Sequence, residues 1–310
     1  MTILTEQQKN LLDRIKNEGH RIGHLIGYKE LNEFHAKLIK EIVCGKQNVS
    51  YCIHRCAYTS STVCLGIALR ILTKPDDKIL LIVKNNADVQ NRLETIKQIL
   101  ESDEFQSLSC ILWNCKYKYE VKIDKYNNLR ITLGTIPWNY QLKIISSVHP
   151  LAGLHEKDLY IIDDIVNFGN VCSEQVANHT FEVFNTVRKY VEDKRRRYIL
   201  TGSTWCYDDI FQYANDKDYV FDCYSTGLLT EERISEIKKC ISPSIFTAQY
   251  LCNPFKEIYK NDSKDKLKEL QKKLSVMDKK HLDLTDLKFE LKDIVDNVEL
   301  VYRNENGRKL

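Results

Sequence analysis

The sequence predicts an α/β protein with a mainly parallel sheet flanked by helices, and three observations support this fold class. A predicted strand at 48–53 is followed by an apolar helix at 62–72, and a strand at 78–83 by an amphipathic helix at 87–100. Two successive strand–helix units of this length are typical of right-handed crossovers in a parallel sheet. The run 159–162 is apolar without alternation, as expected of a strand that is buried on both faces.

The remaining elements follow from the spacing of apolar residues along the chain. The other predicted helices cover residues 5–18, 29–43, 173–191, 206–214, 230–240 and 243–251. The other predicted strands are shorter and cover residues 108–113, 129–133, 142–148, 198–200 and 219–223. After Pro254 the composition changes, and 256–281 is dominated by Lys, Asp and Glu. We therefore predict one domain at 1–255 and a charged linker with a small helical appendage at 256–310.

The overall composition excludes several classes of protein. The 310 residues carry a net charge of +3, which argues against a strongly cationic DNA-coating protein. Eleven cysteines occur without a C-x-x-C pair, and several lie in apolar runs, which favours a reducing cytoplasm over a disulfide framework. The polar N-terminus lacks a signal-peptide pattern, and no apolar run reaches about 18 residues, so a secreted or membrane-spanning protein is disfavoured.

Two carboxylates follow the buried strand at 159–162. Asp163 and Asp164 are predicted to stand at its carboxyl end, the edge where open α/β sheets bind ligands. The first carboxylate suits a Mg²⁺ ion, and the second suits a water that it orients against a phosphate. The alternative is a strand that runs into an acidic turn.

Two further loops are predicted at the same edge. The strand at 48–53, the loop 54–61 and the helix that follows have the architecture of a phosphate-binding loop, in which a helix N-terminus presents free N–H groups. The strand at 198–200 ends in the small polar loop Thr201-Gly202-Ser203-Thr204-Trp205, which as an alternative is a plain turn of small residues.

The order and spacing of these loops resemble the ATPase domain of the large terminase subunit of tailed bacteriophages, over residues 29–255. The resemblance rests on local matches. The matching segments are His35-x-x-Leu38-Ile39, Pro75-x-x-Lys78-Ile79-Leu80-Leu81-Ile82-Val83, Gly153-x-x-x-x-Asp158-Leu159-Tyr160-Ile161-Ile162-Asp163-Asp164-Ile165-Val166-Asn167, Arg197-Tyr198-Ile199-Leu200-Thr201-Gly202-Ser203-Thr204-Trp205-x-x-Asp208-Asp209 and Ser244-x-Phe246-x-x-Gln249-Tyr250-Leu251-x-Asn253-Pro254.

The resemblance implies a P-loop NTPase sheet of the ASCE-like type, with ATP and Mg²⁺ as cofactors. By it, Asp163 is the Mg²⁺-coupled acid of a Walker B segment and Asp164 is the catalytic carboxylate. Thr201, Gly202 and Ser203 form the coupling loop that senses the γ-phosphate. The implied partners are double-stranded DNA, a portal, a small terminase subunit and further copies in a ring, with no membrane. The implied location is the cytoplasm of a bacterial host.

The phosphate loop departs from the family pattern. Arg55 matches its leading arginine, whereas Tyr58 stands where Gly is expected and Thr59 where Lys is expected. Ser60 and Ser61 supply the hydroxyls, with Ser60 as a candidate Mg²⁺ ligand. A unit charge ~4 Å from a phosphate is worth about 4 kcal/mol at an effective dielectric near 20, so losing the lysine weakens binding roughly a thousandfold. Arg55 is alternatively a structural arginine.

Basic residues offer candidate DNA contacts. Arg195, Arg196 and Arg197, which follow Lys194, suit DNA phosphates, and the alternative is a solvated loop before a strand. Trp113 and the basic and aromatic residues at 116–119 suit stacking on nucleic acid, and an exposed β-hairpin explains them equally well. His20 and His24 are four residues apart, a spacing that fits a metal pair only if a third ligand exists.

Two functions from different classes follow. The first is a terminase-like ATPase domain of a DNA-packaging motor, with weak or lost ATP hydrolysis and no nuclease, since the residues after Pro254 are too few and too helical for a metal nuclease. The second is a non-catalytic scaffold that assembles with packaging components or interferes with them. An unrelated P-loop enzyme such as a helicase would need further motifs.

Overall fold

The computed structural model of the chain describes residues 4–114, 117–123, 128–133, 142–167, 169–170, 173–193, 195–207, 209–214 and 217–254. They form two compact units. The first unit comprises the described residues of Met1–Tyr51, Tyr58–Ile165 and Asn185–Thr201. The second comprises those of Cys52–Ala57, Val166–Phe184 and Gly202–Leu310. The predicted appendage at 256–310 lies outside the described residues, and the predicted boundary at 255 stays a prediction.

Helices and strands alternate along most of the described chain. The helices are α1 Glu6–Leu25, α2 Glu33–Cys44, α3 Thr59–Thr73, α4 Asn86–Glu101, α5 Asp103–Trp113, α6 Glu174–Tyr190, α7 Glu231–Cys240 and α8 Pro243–Tyr250. The strands are β1 Val49–Ile53, β2 Ile79–Val83, β3 Tyr117–Ile123, β4 Asn128–Leu133, β5 Leu142–Ser146, β6 Leu159–Asp163, β7 Arg197–Gly202 and β8 Lys217–Phe221. No helix in the described ranges combines the length and the apolar character needed to cross a membrane.

The sheet of the first unit has the strand order β3-β4-β5-β2-β6-β7-β1. Strands β5, β2, β6 and β7 run parallel, whereas β3, β4 and β5 pair antiparallel. All residues of β2 and β6 are buried, which explains their unbroken apolar sequences, since a central parallel strand is covered on both faces. The predicted mainly parallel sheet flanked by helices is therefore confirmed.

The register of the parallel strands aligns their carboxyl ends. Val83 at the end of β2 pairs with Ser146 of β5 and with Asp163 of β6, and Asp163 pairs with Thr201 of β7. Asp163 is the last residue of β6, and Thr201 is the next-to-last residue of β7. The two residues are therefore neighbours on adjacent strands. Helix α3 packs against α1, α2 and α4, and is buried from Thr62 to Leu72.

Two predicted elements are wrong. The predicted strand at 108–113 is the second half of helix α5, which begins after the N-cap Ser102. Its buried residues Phe105, Ser109 and Leu112 follow a helical spacing that the apolar run had obscured. The predicted helix at 206–214 is only the short 3₁₀ turn Ile210–Gln212, because the Asp209 side chain caps a tight turn there.

The other strand and helix predictions within the described residues are confirmed with shifts at their ends. Helix α1 extends to Leu25, but it is kinked at Glu18, the predicted end, where φ is −129° and ψ 28°. Strand β8 begins and ends two residues before the predicted range 219–223. In the second unit, the N–H of His54 donates to the Phe221 carbonyl at 2.9 Å, so β8 lies beside the end of β1.

Candidate functional site

A chain of polar side chains crosses the carboxyl edge of the sheet in the first unit. Asp163 is buried, and its Oδ1 accepts a hydrogen bond from the Thr201 hydroxyl at 2.8 Å. Its Oδ2 accepts from the Arg92 guanidinium, at 3.3 Å from Nε and 3.1 Å from Nη2. Arg92 Nη2 also donates to the Ser60 hydroxyl. Helix α4 thus supplies a cation that joins the first turn of α3 to the end of β6.

Charge pairing explains why an arginine is tolerated in this place. Burial alone would lower the pKa of Arg92, but Asp163 together with Cys64 and Asp88 outweighs that effect, so the pKa of Arg92 lies above the ordinary value. The Arg92 side chain is 16% exposed and that of Asp163 is fully buried. Cys64, one turn after Ser60 on α3, is buried, and burial raises its pKa to about 12, although the nearby Arg92 opposes the shift. Cys64 is therefore a neutral thiol and packs as an apolar side chain.

The N-terminus of α3 has no side-chain cap. Its N-cap residue Tyr58 adopts a left-handed conformation, with φ 51° and ψ 26°. By contrast α4 begins at Asn85, whose side chain accepts from the N–H of Asp88. The first-turn residues Thr59, Ser60 and Ser61 therefore follow a bend rather than a capping side chain. Such a helix end carries a partial positive charge that suits an anion.

Asp164 leaves the strand direction directly after Asp163. Its φ of 53° is left-handed, which Asp tolerates better than most residues. Its N–H donates to the Thr201 carbonyl at 2.9 Å, and its side chain is half-buried. The bend therefore gives the two adjacent aspartates different surroundings: the Asp163 carboxylate contacts the side chains of Arg92 and Thr201, whereas Asp164 contacts the Thr201 carbonyl through its backbone N–H.

Arg55 and Ser203 meet in the second unit through one glutamine. Gln249 of α8 is buried, and its Oε1 accepts from Ser203 Oγ at 2.9 Å and from Arg55 Nη1 at 3.3 Å. Gln249 Nε2 donates to the Thr204 carbonyl at 2.9 Å, and the Gln249 carbonyl accepts from the N–H of Arg55. The intervening Gly202 has φ 142°, a conformation that suits glycine. Arg55 thus has contacts within the protein, and its predicted phosphate role stays a prediction.

The loop after Ser203 is organised by Asp209. Asp209 Oδ2 accepts from the Thr204 hydroxyl at 2.6 Å and from the N–H groups of Trp205 and Cys206. Burial raises the pKa of Asp209, although these hydrogen bonds oppose the shift. Asp209 therefore fixes the shape of the loop that follows β7.

The predicted DNA contacts divide into two groups. Arg195 and Arg196 lie within salt-bridge distance of Asp193, and the Arg195 side chain is 86% exposed, so a DNA role for both stays a prediction. Arg197 is a correction: it is buried, and its Nη2 donates to the carbonyls of Glu41 and Ile42 at the end of α2. A guanidinium in that position cannot reach a DNA phosphate. Lys194 and Lys116 lie outside the described residues.

The other candidates have structural partners. Trp113 donates from Nε1 to the Leu72 carbonyl at 2.9 Å, which joins the end of α5 to the end of α3. The side chains at 117–119 are outside what the structure describes. His20 and His24 contact each other edge to face, and the described ranges contain no group of three side chains that could hold a metal ion.

The Asp163 site as arranged does not fit Mg²⁺. This ion binds oxygen ligands, of which the site offers the Asp163 carboxylate and the Ser60 hydroxyl. Both carboxylate oxygens accept hydrogen bonds, and the same guanidinium nitrogen contacts Oδ2 and the Ser60 oxygen. The predicted metal ligands are thus brought together, but around an arginine.

Sequence reasoning did not single out Arg92, and it gave no role to Gln249 or Asp209, although both lie in segments that carry the resemblance. Arg92 offered a signal, because it lies three residues after Val89 and four before Ile96, both on the buried face of α4. A charged residue on an apolar helix face needs a partner of opposite charge. Gln249 and Asp209 belong to segments that carry the resemblance, but nothing local in the sequence indicates which groups they contact.

Comparison with known proteins shows the fold. No protein-family model matches the chain. No curated protein matches it. The large terminase ATPase domain of Thermus phage P74-26 is similar at 11% identity and a TM-score of 0.50, over 74% of this chain and 96% of that one. A mutant of that domain gives 10% identity and a TM-score of 0.50, over 75% and 97%.

A third similar structure is the large terminase of bacteriophage HK97, with 12% identity and a TM-score of 0.49, over 77% of this chain and 55% of that one. At these identities the likeness concerns the fold alone. The chain has the fold of large terminase ATPase domains, so the predicted resemblance and the predicted P-loop NTPase fold class are confirmed at that level.

Proposed function

We propose that the chain is a terminase-like ATPase-domain protein of a phage DNA-packaging motor, in which ATP binding is retained and ATP hydrolysis is weak or lost. The observation that supports it is the meeting of Ser60, Asp163 and Thr201 at one sheet edge of a chain with this fold. Residues 1–255 would form the ATPase domain, and 256–310 a charged linker with a small helical appendage. Double-stranded DNA, a portal, a small terminase subunit and copies in a ring are the proposed partners, in the cytoplasm of a bacterial host.

The phosphate groups of ATP would bind at the first turn of α3. The turn is not capped by a side chain, and its partial positive charge suits an anion. Arg92 adds donors, because its Nη1 makes no hydrogen bond with the described residues. Asp164 would orient the attacking water, and the loop Thr201-Gly202-Ser203 would sense the γ-phosphate. Thr59 in place of lysine weakens the site, by the electrostatic argument given above.

ATP turnover tests this function directly. The full chain is assayed with ATP and Mg²⁺, with and without double-stranded DNA, beside Asp164→Asn. We expect turnover that is slow, rises with DNA and disappears in Asp164→Asn. DNA-stimulated turnover that survives in Asp164→Asn would reject the role given to Asp164.

Nucleotide titration by calorimetry separates the proposal from the alternative. An ATP affinity that is higher in Thr59→Lys than in the wild type supports a phosphate site at α3, since the new charge would face the phosphates. Thr59→Val is the matched control, because it changes the same position without adding charge. Unchanged affinity in Thr59→Lys would show that the phosphate loop lies elsewhere.

The alternative is a non-catalytic protein that assembles with packaging components or interferes with them. The engagement of Asp163 and Ser60 by Arg92 favours it, because both predicted metal ligands are taken by the protein itself. This function would be supported over the first if calorimetry detected no heat of ATP binding and the protein formed a stable complex with a portal or small terminase subunit.

A further inference from the structure

We propose that Arg92 is a built-in cation that takes the place of a divalent metal ion between Ser60 and Asp163. Two consequences follow: the edge of β6 binds no divalent ion, and phosphate groups bind there without metal. The second consequence rests on the proposed nucleotide function, whereas the first does not. The observation is that one guanidinium contacts both side chains that were predicted to bind Mg²⁺.

Three hydrogen bonds occupy most of the lone-pair positions of the Asp163 carboxylate. A Mg²⁺ ion needs oxygen lone pairs at about 2.0–2.1 Å in near-octahedral arrangement. Arg92 directs Nε and Nη2 at Oδ2, and Thr201 directs its hydroxyl at Oδ1. A guanidinium has donors and no acceptor, so it repels a cation and cannot become a ligand. The ion would have to displace Arg92 first.

Displacement of Arg92 is opposed by its surroundings. The residue projects from the buried face of α4, which Val89, Leu93 and Ile96 hold against the core. Asp163 has no exposed side-chain surface, so water cannot replace the arginine as its partner. Breaking a buried ion pair leaves an uncompensated charge, which is strongly unfavourable. We therefore expect the Arg92 guanidinium to keep its contact with Asp163 when no nucleotide is bound.

The same guanidinium suits a phosphate. Arginine binds phosphate oxygens through a planar set of donors, and Nη1 is not used by the described residues. Ser60 places Arg92 beside the first turn of α3, where backbone N–H groups add to the attraction. The ligand class is a nucleoside triphosphate or diphosphate that arrives without a metal ion.

A Mn²⁺ titration without nucleotide tests the first consequence, with bound ion counted by electron paramagnetic resonance on the full chain. We expect no ion at Asp163 in the wild type, and one ion in Arg92→Gln that is lost when Asp163→Asn is added. Arg92→Met provides a second replacement in case glutamine reorganises the site. Lys97→Gln on the same helix is the matched control and should bind no ion.

Two results of this titration would overturn the inference. One is a wild-type ion whose binding disappears in Asp163→Asn. The other is failure of both folded Arg92 variants to gain an ion, because Arg92 would then not be what excludes the metal.

ATP affinity measured in Mg²⁺ and in EDTA tests the second consequence. We expect the wild-type affinity to differ by no more than about twofold between the two conditions, and a rise of about tenfold or more with Mg²⁺ would contradict metal-independent binding. Absence of ATP binding in both conditions would reject the proposed nucleotide function and with it metal-free phosphate binding. The exclusion of metal by Arg92 would still be decided by the Mn²⁺ titration.

Discussion

Arg92 directs two nitrogens, Nε and Nη2, at a single carboxylate oxygen of Asp163, at 3.3 and 3.1 Å. The other oxygen, Oδ1, is left to the Thr201 hydroxyl at 2.8 Å. One oxygen of the Asp163 carboxylate therefore contacts α4, and the other contacts β7. These contacts connect the end of β6 to both elements.

The ion pair should show strong energetic coupling. Asp163→Asn leaves Arg92 without its counter-charge, and we expect a loss of about 3 kcal/mol of unfolding free energy. Arg92→Met should also destabilise, but the double variant should lose less than the sum, with a coupling of about 1–3 kcal/mol. Urea unfolding of the four proteins measures the cycle. Additive losses would show that the two side chains do not interact.

Tyr58 should carry backbone strain at the start of α3. A left-handed conformation costs roughly 1–2 kcal/mol in any residue with a Cβ, and glycine avoids that cost. Tyr58→Gly and Tyr58→Ala both remove the aromatic ring, so the difference in stability between the two variants measures the cost of the left-handed backbone conformation. We expect the glycine variant to be more stable than the alanine variant by about 1 kcal/mol in urea unfolding. Equal stability would mean that Tyr58 is not strained.

Gly66 permits the close approach of α2 and α3. A Cβ at this position would lie 2.6 Å from Cδ1 of Ile42 and 3.2 Å from its Cβ and Cγ2. We expect Gly66→Ala to destabilise the protein by about 1–3 kcal/mol through overpacking. Ile42→Val removes the nearest atom and should recover part of that loss in the double variant. Thermal unfolding measures all three, and a double variant no better than Gly66→Ala would contradict the contact.

Substitutions of Arg197 and Arg195 should have different effects, the first on stability and the second on DNA binding. Arg197→Met removes hydrogen bonds to the last carbonyls of α2, and we expect a loss of about 1–3 kcal/mol of unfolding free energy. Arg195→Ala changes an exposed side chain and should leave the unfolding midpoint unchanged. If the loop contacts DNA, only Arg195→Ala should weaken binding in a fluorescence-anisotropy titration at fixed salt. Weaker binding by folded Arg197→Met would return that residue to the DNA-contacting set.

His54 should make the protein less stable in mild acid. In the neutral ring, Nδ1 donates to the Arg55 carbonyl and Nε2 accepts from the Thr226 hydroxyl. Burial lowers the pKa of His54, although the Arg55 carbonyl and Asp222 oppose the shift. The unfolded chain thus binds more protons, so the contribution of His54 is full above about pH 6.5 and falls as pH drops through the lowered pKa.

A pH series of urea unfolding measures this contribution. His54→Gln should flatten the fall in unfolding free energy below about pH 6.5, because an amide does not titrate there. His155→Gln, which changes an exposed histidine, is the control and should leave the profile as in the wild type. An unchanged slope in His54→Gln would show that His54 titrates alike in the folded and unfolded chain.

The central strands could be predicted from the sequence because burial on both faces leaves a local signature. β2 and β6 are unbroken apolar runs, and Asp163 marks the end of β6 at the sheet edge. Helix α5 was hidden because Leu108 to Trp113 is apolar on its own, and the helical period appears only when Phe105 is included. The tight turn at Asp209 depends on one side chain that accepts from several N–H groups.

The composition of the candidate site could be predicted only in part. Ser60, Asp163 and Thr201 follow from their places after strands. The arginine between them lies 71 residues from Asp163 along the chain, and no local pattern encodes that contact. Arg197 fails as a predicted DNA contact for the same reason, since its partners in α2 lie more than 150 residues away.

Arg92 joins two positions that are far apart in the chain, Ser60 and Asp163. Under the inference above, a lysine at position 59 would strengthen phosphate binding but would leave Arg92 between these two side chains. Loss of the arginine alone would leave the buried Asp163 without its counter-charge. A protein of this kind with both a lysine at position 59 and a metal ion at Asp163 would therefore need two substitutions rather than one.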